Sequence, residues 1–397
     1  MSDLYKKNII IGMTGSIACY KVADLIKILI EKEAIVTIVM TKSSKNFITK
    51  TTMETLSGKD VIDDESWNIS DNGINHINLT RKADLIIIVP STANFIAKIS
   101  NGIADDFLST MCLARNCQLF IAPAMNKEMW NNPSTQRNIK QLILDNIKII
   151  GPSYGKQACG EIGYGKLAEI EEISDEIISF FQPKLLKNKK ILITAGPTIE
   201  PIDPIRFISN KSSGKMGYSI AKAAYEFGAD VTLVTGPTNL KIPTNIKTYN
   251  VVTAVDMYQS VMRNIADIDV FISVAAVSDW KVLNYQNNKI KKNNTNNIPK
   301  IILDYNPDIL YEVAKIKNKP FCVGFAAETE NLKDYAYKKL IQKNIDLIIA
   351  NIATDVMNSD KAKLMLIDSS EILDLPNSNK IEAARQVMKE ISKKLKQ

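Results

Sequence analysis

The sequence predicts an α/β protein made of two Rossmann-like domains, and three observations carry that expectation. At 397 residues the chain exceeds what one hydrophobic core usually serves. Short apolar β runs alternate with amphipathic helical stretches along its length, the pattern of a parallel, doubly wound sheet. That pattern breaks once, at Gln182-Pro183 and the lysine-rich stretch to residue 190, and then restarts from a new strand. The expected domains are therefore 1–182 and 190–397, with a linker over 183–189.

In the first half, Asn8–Ile11 reads as a buried strand, Ser16–Glu31 as a helix with apolar spacing near 3.6, and Ile35–Met40 as the next strand. Leu85–Val89, Gln118–Ile121 and Ile147–Ile150 supply three more short β runs, with helical stretches such as Ser134–Asp145 between them. An acidic helix from Ile170 to Phe181 closes the domain. The second half opens with a strand at Lys190–Thr194. Helix Tyr218–Phe227, strands Asp230–Val234 and Asp269–Val274, helix Pro307–Lys317 and strand Pro320–Gly324 follow. Helix Leu332–Lys343, strand Asp346–Ala350, a hairpin near Lys363–Leu373 and a helix from Lys380 to Lys396 complete it. Asn284–Asn297, rich in Asn and Lys, is expected to be a mobile surface loop. No residue-level repeat links the halves.

Composition removes several classes. Hydrophobic residues at 45% and charged residues at 23% are globular values that exclude a mainly disordered chain. The longest purely apolar run, Leu85–Val89, is far below the ~18 residues of a membrane span. Gly12 and Gly15 interrupt the apolar start, so strand–loop–helix is expected there rather than a signal peptide. Five cysteines without a CxxC pair give no disulfide framework or zinc ribbon, which places the chain in the cytosol. Residues 1–183 carry 19 basic against 21 acidic side chains, and residues 184–397 carry 31 against 22. The excess lysines are dispersed rather than massed with aromatics, so small anionic substrates explain them as well as nucleic acid does, and solvated helix faces cover most of them.

Four motifs follow strand ends in the first half. Gly12-Met13-Thr14-Gly15-Ser16 lets backbone approach a ligand at the start of a helix, where free N–H groups suit a phosphate. Met40-Thr41 stands where a dinucleotide fold would place an acidic residue, which favours a mononucleotide. Pro90-Ser91-Thr92-Ala93-Asn94 offers hydroxyl and amide donors, and Pro123-Ala124-Met125-Asn126 follows the next strand. Gln157-Ala158-Cys159-Gly160-Glu161-Ile162-Gly163-Tyr164-Gly165 is a glycine-rich loop carrying a thiol. This ordered set resembles the flavin-dependent cysteine decarboxylases over the whole first half, and implies a flavodoxin-like domain holding FMN.

The resemblance implies FMN contacts at Gly15, Ser16, Thr41, Ser91 and Asn94. It also implies that Asn126 binds the substrate carboxylate, that Cys159 donates a proton from a closing flap, and that His76 takes part in catalysis. Those types suit the chemistry: the cysteinyl carboxylate has no electron sink of its own, and a thiol and an imidazole manage protons near neutral pH. Cys19, Cys112, Cys117 and Cys322 fit ordinary packing. Two departures are Lys166, where the family often has Arg, and Tyr164, where it often has Pro. Lysine is a point charge without the guanidinium fork.

In the second half, Thr194-Ala195-Gly196-Pro197-Thr198 ends the first strand, and Ser209-Asn210-Lys211-Ser212-Ser213-Gly214-Lys215-Met216-Gly217 follows. The latter is not a P-loop: Ser209 replaces the first glycine and Met216 the magnesium-binding hydroxyl. It remains a loop of donors before a helix. With Ala275-Ala276-Val277-Ser278-Asp279, Lys289-Ile290-Lys291-Lys292, Asn306-Pro307-Asp308-Ile309 and Gly324-Phe325-Ala326-Ala327-Glu328-Thr329, it resembles the phosphopantothenate–cysteine ligases over its full length. The fused pair resembles the bacterial bifunctional proteins of coenzyme A biosynthesis.

That resemblance implies CTP-dependent activation of 4′-phosphopantothenate as an acyl-cytidylate, displacement of CMP by the amine of cysteine, and then decarboxylation to 4′-phosphopantetheine. Lys289 would neutralise charge where two anions meet, with Lys291 and Lys292 able to share that role, and Asn210 would position the acyl intermediate. Asp279 would lie near the nucleotide or its Mg²⁺. Ala275, Pro307, Asp308, Ile309, Leu310, Phe325, Lys339 and Lys343 would complete the CTP site. The resemblance also implies decarboxylase trimers associating into dodecamers, with FMN at subunit contacts, and ligase dimers. The rival expectations are a non-catalytic FMN-binding regulator of the same fold, an NAD-dependent reductase and a nucleic-acid binder.

Overall fold

A computed structural model describes residues 3–67, 75–243, 245–291, 300–328, 332–352 and 361–396. The chain divides into two compact units, Met1–Phe181 and Gln182–Gln397. In the first, strands β1 (Asn8–Met13), β2 (Ile35–Met40), β3 (Leu85–Ser91), β4 (Gln118–Pro123) and β5 (Lys148–Ile149) form one sheet in the order β2-β1-β3-β4-β5. All its pairings are parallel, and the order is that of flavodoxin-like folds. The continuous apolar run of β3 has a physical cause. Leu85, Ile87 and Val89 pack on one face of the sheet, while Ile86 and Ile88 pack on the other. A strand covered on both sides cannot alternate with polar residues.

The segment Ser16–Glu31 is not one helix. Ser16 caps a 3₁₀ turn, Ile17–Lys21, by accepting from the Ala18 amide at 3.3 Å, and the α-helix begins only at Val22. After β5 the chain makes an antiparallel hairpin, β6 (Ser153–Lys156) with β7 (Ile162–Lys166), outside the main sheet. Helix Ile170–Phe181 then returns along helix Val22–Glu31 and buries Ile173 and Ile177.

In the second unit, β8 (Lys190–Ala195) leads to a small antiparallel pair, β9 (Ile199–Pro201) with β10 (Phe207–Ser209). Strands β11 (Asp230–Thr235), β12 (Lys247–Asn250) and β13 (Val270–Ser273) follow, and β14 (Trp280–Val282) pairs with β15 (Leu303–Tyr305). After them come β16 (Phe321–Glu328), β17 (Leu347–Ile352), β18 (Lys361–Ala362), β19 (Met365–Ile367) and β20 (Ile372–Asp374). The main sheet runs β12-β11-β8-β13-β16-β17-β19-β20. Its first six strands are parallel and have the doubly wound Rossmann order, with the strand order reversing between β8 and β13. The expected hairpin near 363–373 is present as β19–β20 and adds an antiparallel edge.

The segment 183–189 is not a free linker. Leu186 is 1% exposed in the core of the second unit, its amide donates to the Phe227 carbonyl at 3.0 Å, and Lys184 Nζ donates to the Glu226 carbonyl at 2.7 Å. Of the expected loop 284–297, residues 292–297 lie outside the described residues. No helix among the described residues is long and apolar enough to cross a membrane.

Candidate functional site

In open α/β sheets, ligands settle where strand order reverses, beyond the carboxyl ends of the strands. In the first unit that point lies between β1 and β3. A cavity of about 640 Å³ opens there, lined among others by Gly15, Ser16, Lys21, Thr92, Asn126 and Cys159. Three of the four sequence motifs thus meet the cysteine loop in one place. Thr14 ties two of them together: its Oγ1 donates to the Pro90 carbonyl at 2.8 Å and accepts from the Thr92 amide at 3.0 Å.

The hairpin β6–β7 carries Cys159 at its tip and is seated on the segment after β4. The Met125 amide donates to the Gly165 carbonyl at 2.9 Å, and Gln157 Oε1 accepts from the Lys127 amide at 3.0 Å. Gly165 has φ +132°, and a Cβ there would stand 2.4 Å from the Met125 carbonyl oxygen, so only glycine allows this approach. Asn126 uses its Oδ1 to cap helix Lys127–Asn131 through the Glu128 amide at 2.8 Å. Its Nδ2 is thereby turned toward Cys159 Sγ, at 3.6 Å, and it also donates to Glu161 Oε2. The Cys159 thiol in turn reaches Glu161 Oε2 at 3.6 Å. A carboxylate already lies on the amide expected to hold the substrate carboxylate, so that amide is a competent anion donor.

Of the five cysteines only Cys159 is exposed. Burial pushes the Cys112 and Cys322 thiols up to about 12 and raises those of Cys19 and Cys117, which keeps all four protonated and inert near neutral pH. Lys166 lines the cavity and pairs with Glu169 at 2.7 Å, a carboxylate that Lys21 also approaches at 3.6 Å.

The remaining first-half residues divide. Ser91 is fully buried, and its Oγ has no hydrogen-bond partner. Thr41 Oγ1 donates to the Met13 carbonyl at 3.1 Å, and Asn94 is exposed on the first turn of helix Ala93–Ser100. None of these three lines the cavity, whereas Thr92 does, a residue the sequence reading passed over between Ser91 and Asn94. His76, half-buried on helix Asn75–Lys82, does not line it either. The residues present fit a flavin mononucleotide. The cavity has the size of a cofactor site, three lysines, Lys21, Lys156 and Lys166, line it, and Ser91, next to the lining residue Thr92, has a buried hydroxyl without a partner.

In the second unit the switch point lies between β8 and β13. The Ala276 amide donates to the Gly196 carbonyl at 2.9 Å, and Asn210 Nδ2 donates to the Ala276 carbonyl at 2.9 Å, which sets Asn210 over the crossing. Asn306 binds the next two motifs together: its Nδ2 donates to the Ser278 carbonyl at 3.0 Å, its amide donates to the Asp279 carbonyl at 2.9 Å, and its buried Oδ1 has no partner. Asp308 caps helix Ile309–Ala314 and pairs with Lys343 at 2.7 Å, and Lys339 Nζ donates to the Phe325 carbonyl at 2.8 Å. Asp308, Lys343, Lys339 and Phe325 are thus linked in pairs. Ile309 and Leu310 are buried, so a nucleotide would meet their backbone and not their side chains. Ala275 and Pro307 are half-buried, while Asp279 and Lys289 are exposed. No group of three His, Cys, Asp or Glu side chains among the described residues forms a metal cage.

Residues 1–182 match the family model described as Flavoprotein, and residues 186–395 the one described as DNA/pantothenate metabolism flavoprotein C-terminal domain. The chain is 42% identical over 395 residues to the Coenzyme A biosynthesis bifunctional protein CoaBC of Vibrio vulnificus (strain CMCP6), covering 98% of each. It is similar to the crystal structure of the C-terminal domain of a Coenzyme A biosynthesis bifunctional protein CoaBC, with 40% identity, TM-score 0.46 and coverage of 54% of this chain and 98% of that one. It is also similar to a mutant PPC decarboxylase complexed with pantothenoylaminoethenethiol, with 35% identity, TM-score 0.42 and coverage of 44% and 98%.

Proposed function

The chain belongs to the family of bifunctional coenzyme A biosynthesis proteins, and from that membership we propose how its residues divide the work. It is an enzyme with two activities, a ligase joining cysteine to 4′-phosphopantothenate and an FMN-dependent decarboxylase acting on the product. The single observation that carries the site assignment is the convergence of Asn126, Cys159 and the Gly15–Ser16 loop on one cavity.

In the first unit, Gly15, Ser16 and Thr92 hold FMN, with Ser91, Thr41 and Asn94 supporting the loops around it. When bound, FMN supplies the electron sink that a cysteinyl carboxylate lacks and returns the electrons after carbon dioxide has left. Asn126 donates its amide to the substrate carboxylate and orients it. Cys159 delivers its thiol proton to the product carbon, and the thiolate left behind recovers a proton from solvent when the hairpin opens. His76 lies outside this cavity, and we assign it to the site of a neighbouring copy in a trimer with FMN at the subunit contact. The exposed apolar side chains of Ile17, Tyr20, Phe47 and Met129 around the cavity support an interface there.

In the second unit, a carboxylate oxygen of 4′-phosphopantothenate attacks the α-phosphorus of CTP and pyrophosphate leaves. The amine of cysteine then attacks the acyl carbon, and CMP departs. Lys289 neutralises the charge where the two anions meet, and Asn210 positions the acyl-cytidylate. Ala275, Pro307, Asp308, Phe325, Lys339 and Lys343, with the backbone of Ile309 and Leu310, bind the nucleotide. Asp279 would hold a Mg²⁺ accompanying the triphosphate, which would offset charge on the phosphates. We place both reactions in the cytosol, with ligase dimers and decarboxylase trimers building a dodecamer.

The test is a crossed assay of two variants. Lys289→Gln should lose most of its ligation, keeping only a residual rate, and keep decarboxylation of supplied 4′-phosphopantothenoylcysteine. Cys159→Ser should ligate normally and still release carbon dioxide, but stall before reduced product forms. CMP, and not AMP, should accumulate during ligation. A shared loss of both reactions in either variant removes the division of labour.

A further inference from the structure

Asp203 is a carboxylate in the turn between β9 and β10, only 2% exposed, with no role in the reading above. Its Oδ1 accepts the Ile205 and Arg206 amides, both at 2.8 Å, which is all a tight turn asks of such a side chain. Its Oδ2 does something else. It accepts the Ile290 amide at 3.1 Å, across 87 positions of sequence, from the residue that follows Lys289. Arg206 Nη1 lies 3.5 Å from that same Oδ2, and Arg206 Nη2 donates to the Ile290 carbonyl at 3.3 Å. Both backbone groups of Ile290 are therefore held. The Gln286 amide adds a third tie to the same turn by donating to the Ile202 carbonyl at 3.1 Å.

Burial works against a charged carboxyl here, yet the backbone amides of Ile205, Arg206 and Ile290, with the Arg206 guanidinium, hold Asp203 below its usual range. An asparagine would serve the turn equally well. The second anionic oxygen serves Ile290 and the Arg206 side chain that also holds Ile290. Lys289 itself is exposed and sits outside any strand or helix, and among the described residues no backbone hydrogen bond holds it. A charge that must meet two anions at one point needs such fixing, because misplacement by about 1 Å costs roughly a hundredfold in rate.

We propose that Asp203, with Arg206, is a positioning residue for ligation: it clamps the backbone of Ile290 and so holds Lys289 where the substrate carboxylate meets the nucleotide. This rests on the reading of Lys289 as the charge-neutralising group. The experiment is a double-mutant cycle in the full chain with FMN bound, with CTP, 4′-phosphopantothenate and cysteine, following pyrophosphate release. Asp203→Asn keeps an oxygen for the turn and sets an NH₂ donor against the Ile290 N–H. It should lower kcat for ligation by about tenfold to a hundredfold, leave the KM for cysteine within about twofold, and leave decarboxylation unchanged. In a Lys289→Gln background, measured on the residual ligation, the same change should cost less than about twofold. Arg206→Gln, which alters a solvent-exposed side chain, should show a smaller loss with the same dependence on Lys289 and covers the case of a poorly folded Asp203 variant. Equal losses in both backgrounds, for either change, would mean a purely structural role and overturn the proposal. Normal ligation in Lys289→Gln alone would overturn the Lys289 reading, and the proposal with it.

Discussion

Replacing Gly165 by alanine should unseat the hairpin that carries Cys159, and the structure sets the size of the effect. Gly165 has φ +132°, where an L-residue is strained by about 1–3 kcal/mol. The new Cβ would also stand 2.4 Å from the Met125 carbonyl oxygen and 2.8 Å from Gln157 Nε2. Relieving those contacts separates the strands that make the Met125–Gly165 and Lys127–Gln157 hydrogen bonds, each worth about 0.5–1.5 kcal/mol net. The sum is about 2–6 kcal/mol, so the equilibrium for the seated hairpin should fall by between one and four powers of ten. Gly160 supplies the control. Its φ is +90°, but a Cβ there would meet nothing within 4 Å. Gly160→Ala should therefore cost only the backbone term, about 1–2 kcal/mol. Hydrogen exchange at the Met125 amide reads the seating equilibrium directly, and formation of the reduced product in a single turnover, the step assigned to Cys159, reads its consequence. FMN binding should survive in both variants, since neither residue belongs to the loops assigned to hold the cofactor. Equal impairment of the two variants, or unchanged Met125 exchange in Gly165→Ala, would refute the seating argument.

Two further predictions concern the second unit. Because Leu186 is packed in its core, a fragment starting at Gln182 should melt well above one starting at Lys190, and Leu186→Ala should cost about 2–5 kcal/mol in denaturant titration; equal melting of the two fragments would restore 183–189 as a true linker. Asp368 is opposed by burial, but Lys394 and the Ser370 and Glu371 donors hold its carboxyl well below the usual range. Its stabilisation is thus complete above the unfolded carboxylate value near 4 and is lost as pH falls through the lower folded value. Asp368→Asn should flatten the drop in melting temperature between about pH 4 and pH 2, and parallel curves for the two proteins would argue against the linkage.

Much of this molecule was legible before its structure, for reasons that are local. A strand buried on both faces must be apolar throughout, so Leu85–Val89 announces itself. The motifs stand at strand ends because backbone N–H groups and donor side chains are free there, so they could be read in order along the chain, and the family resemblance they carry pointed to Asn126, Cys159 and Asn210 within them. Distance in sequence hid the rest. The strand orders depend on which strand pairs with which across a hundred residues. Leu186 looked like part of a solvated lysine run, since one buried side chain among charges leaves no periodic signal. Thr92 faces the cavity while its neighbours Ser91 and Asn94 do not, a choice made by where the helix after β3 starts. Glu161 touching Asn126, and Asp203 holding Ile290, join segments that no spacing rule connects. By itself the sequence determined the two halves, their fold class and the chemical types at each strand end, because those follow from burial and backbone needs within a few residues. Only the tertiary structure decided which oxygen meets which amide, because hydrogen-bond partners far apart in the chain are chosen by the packing of whole sheets and turns.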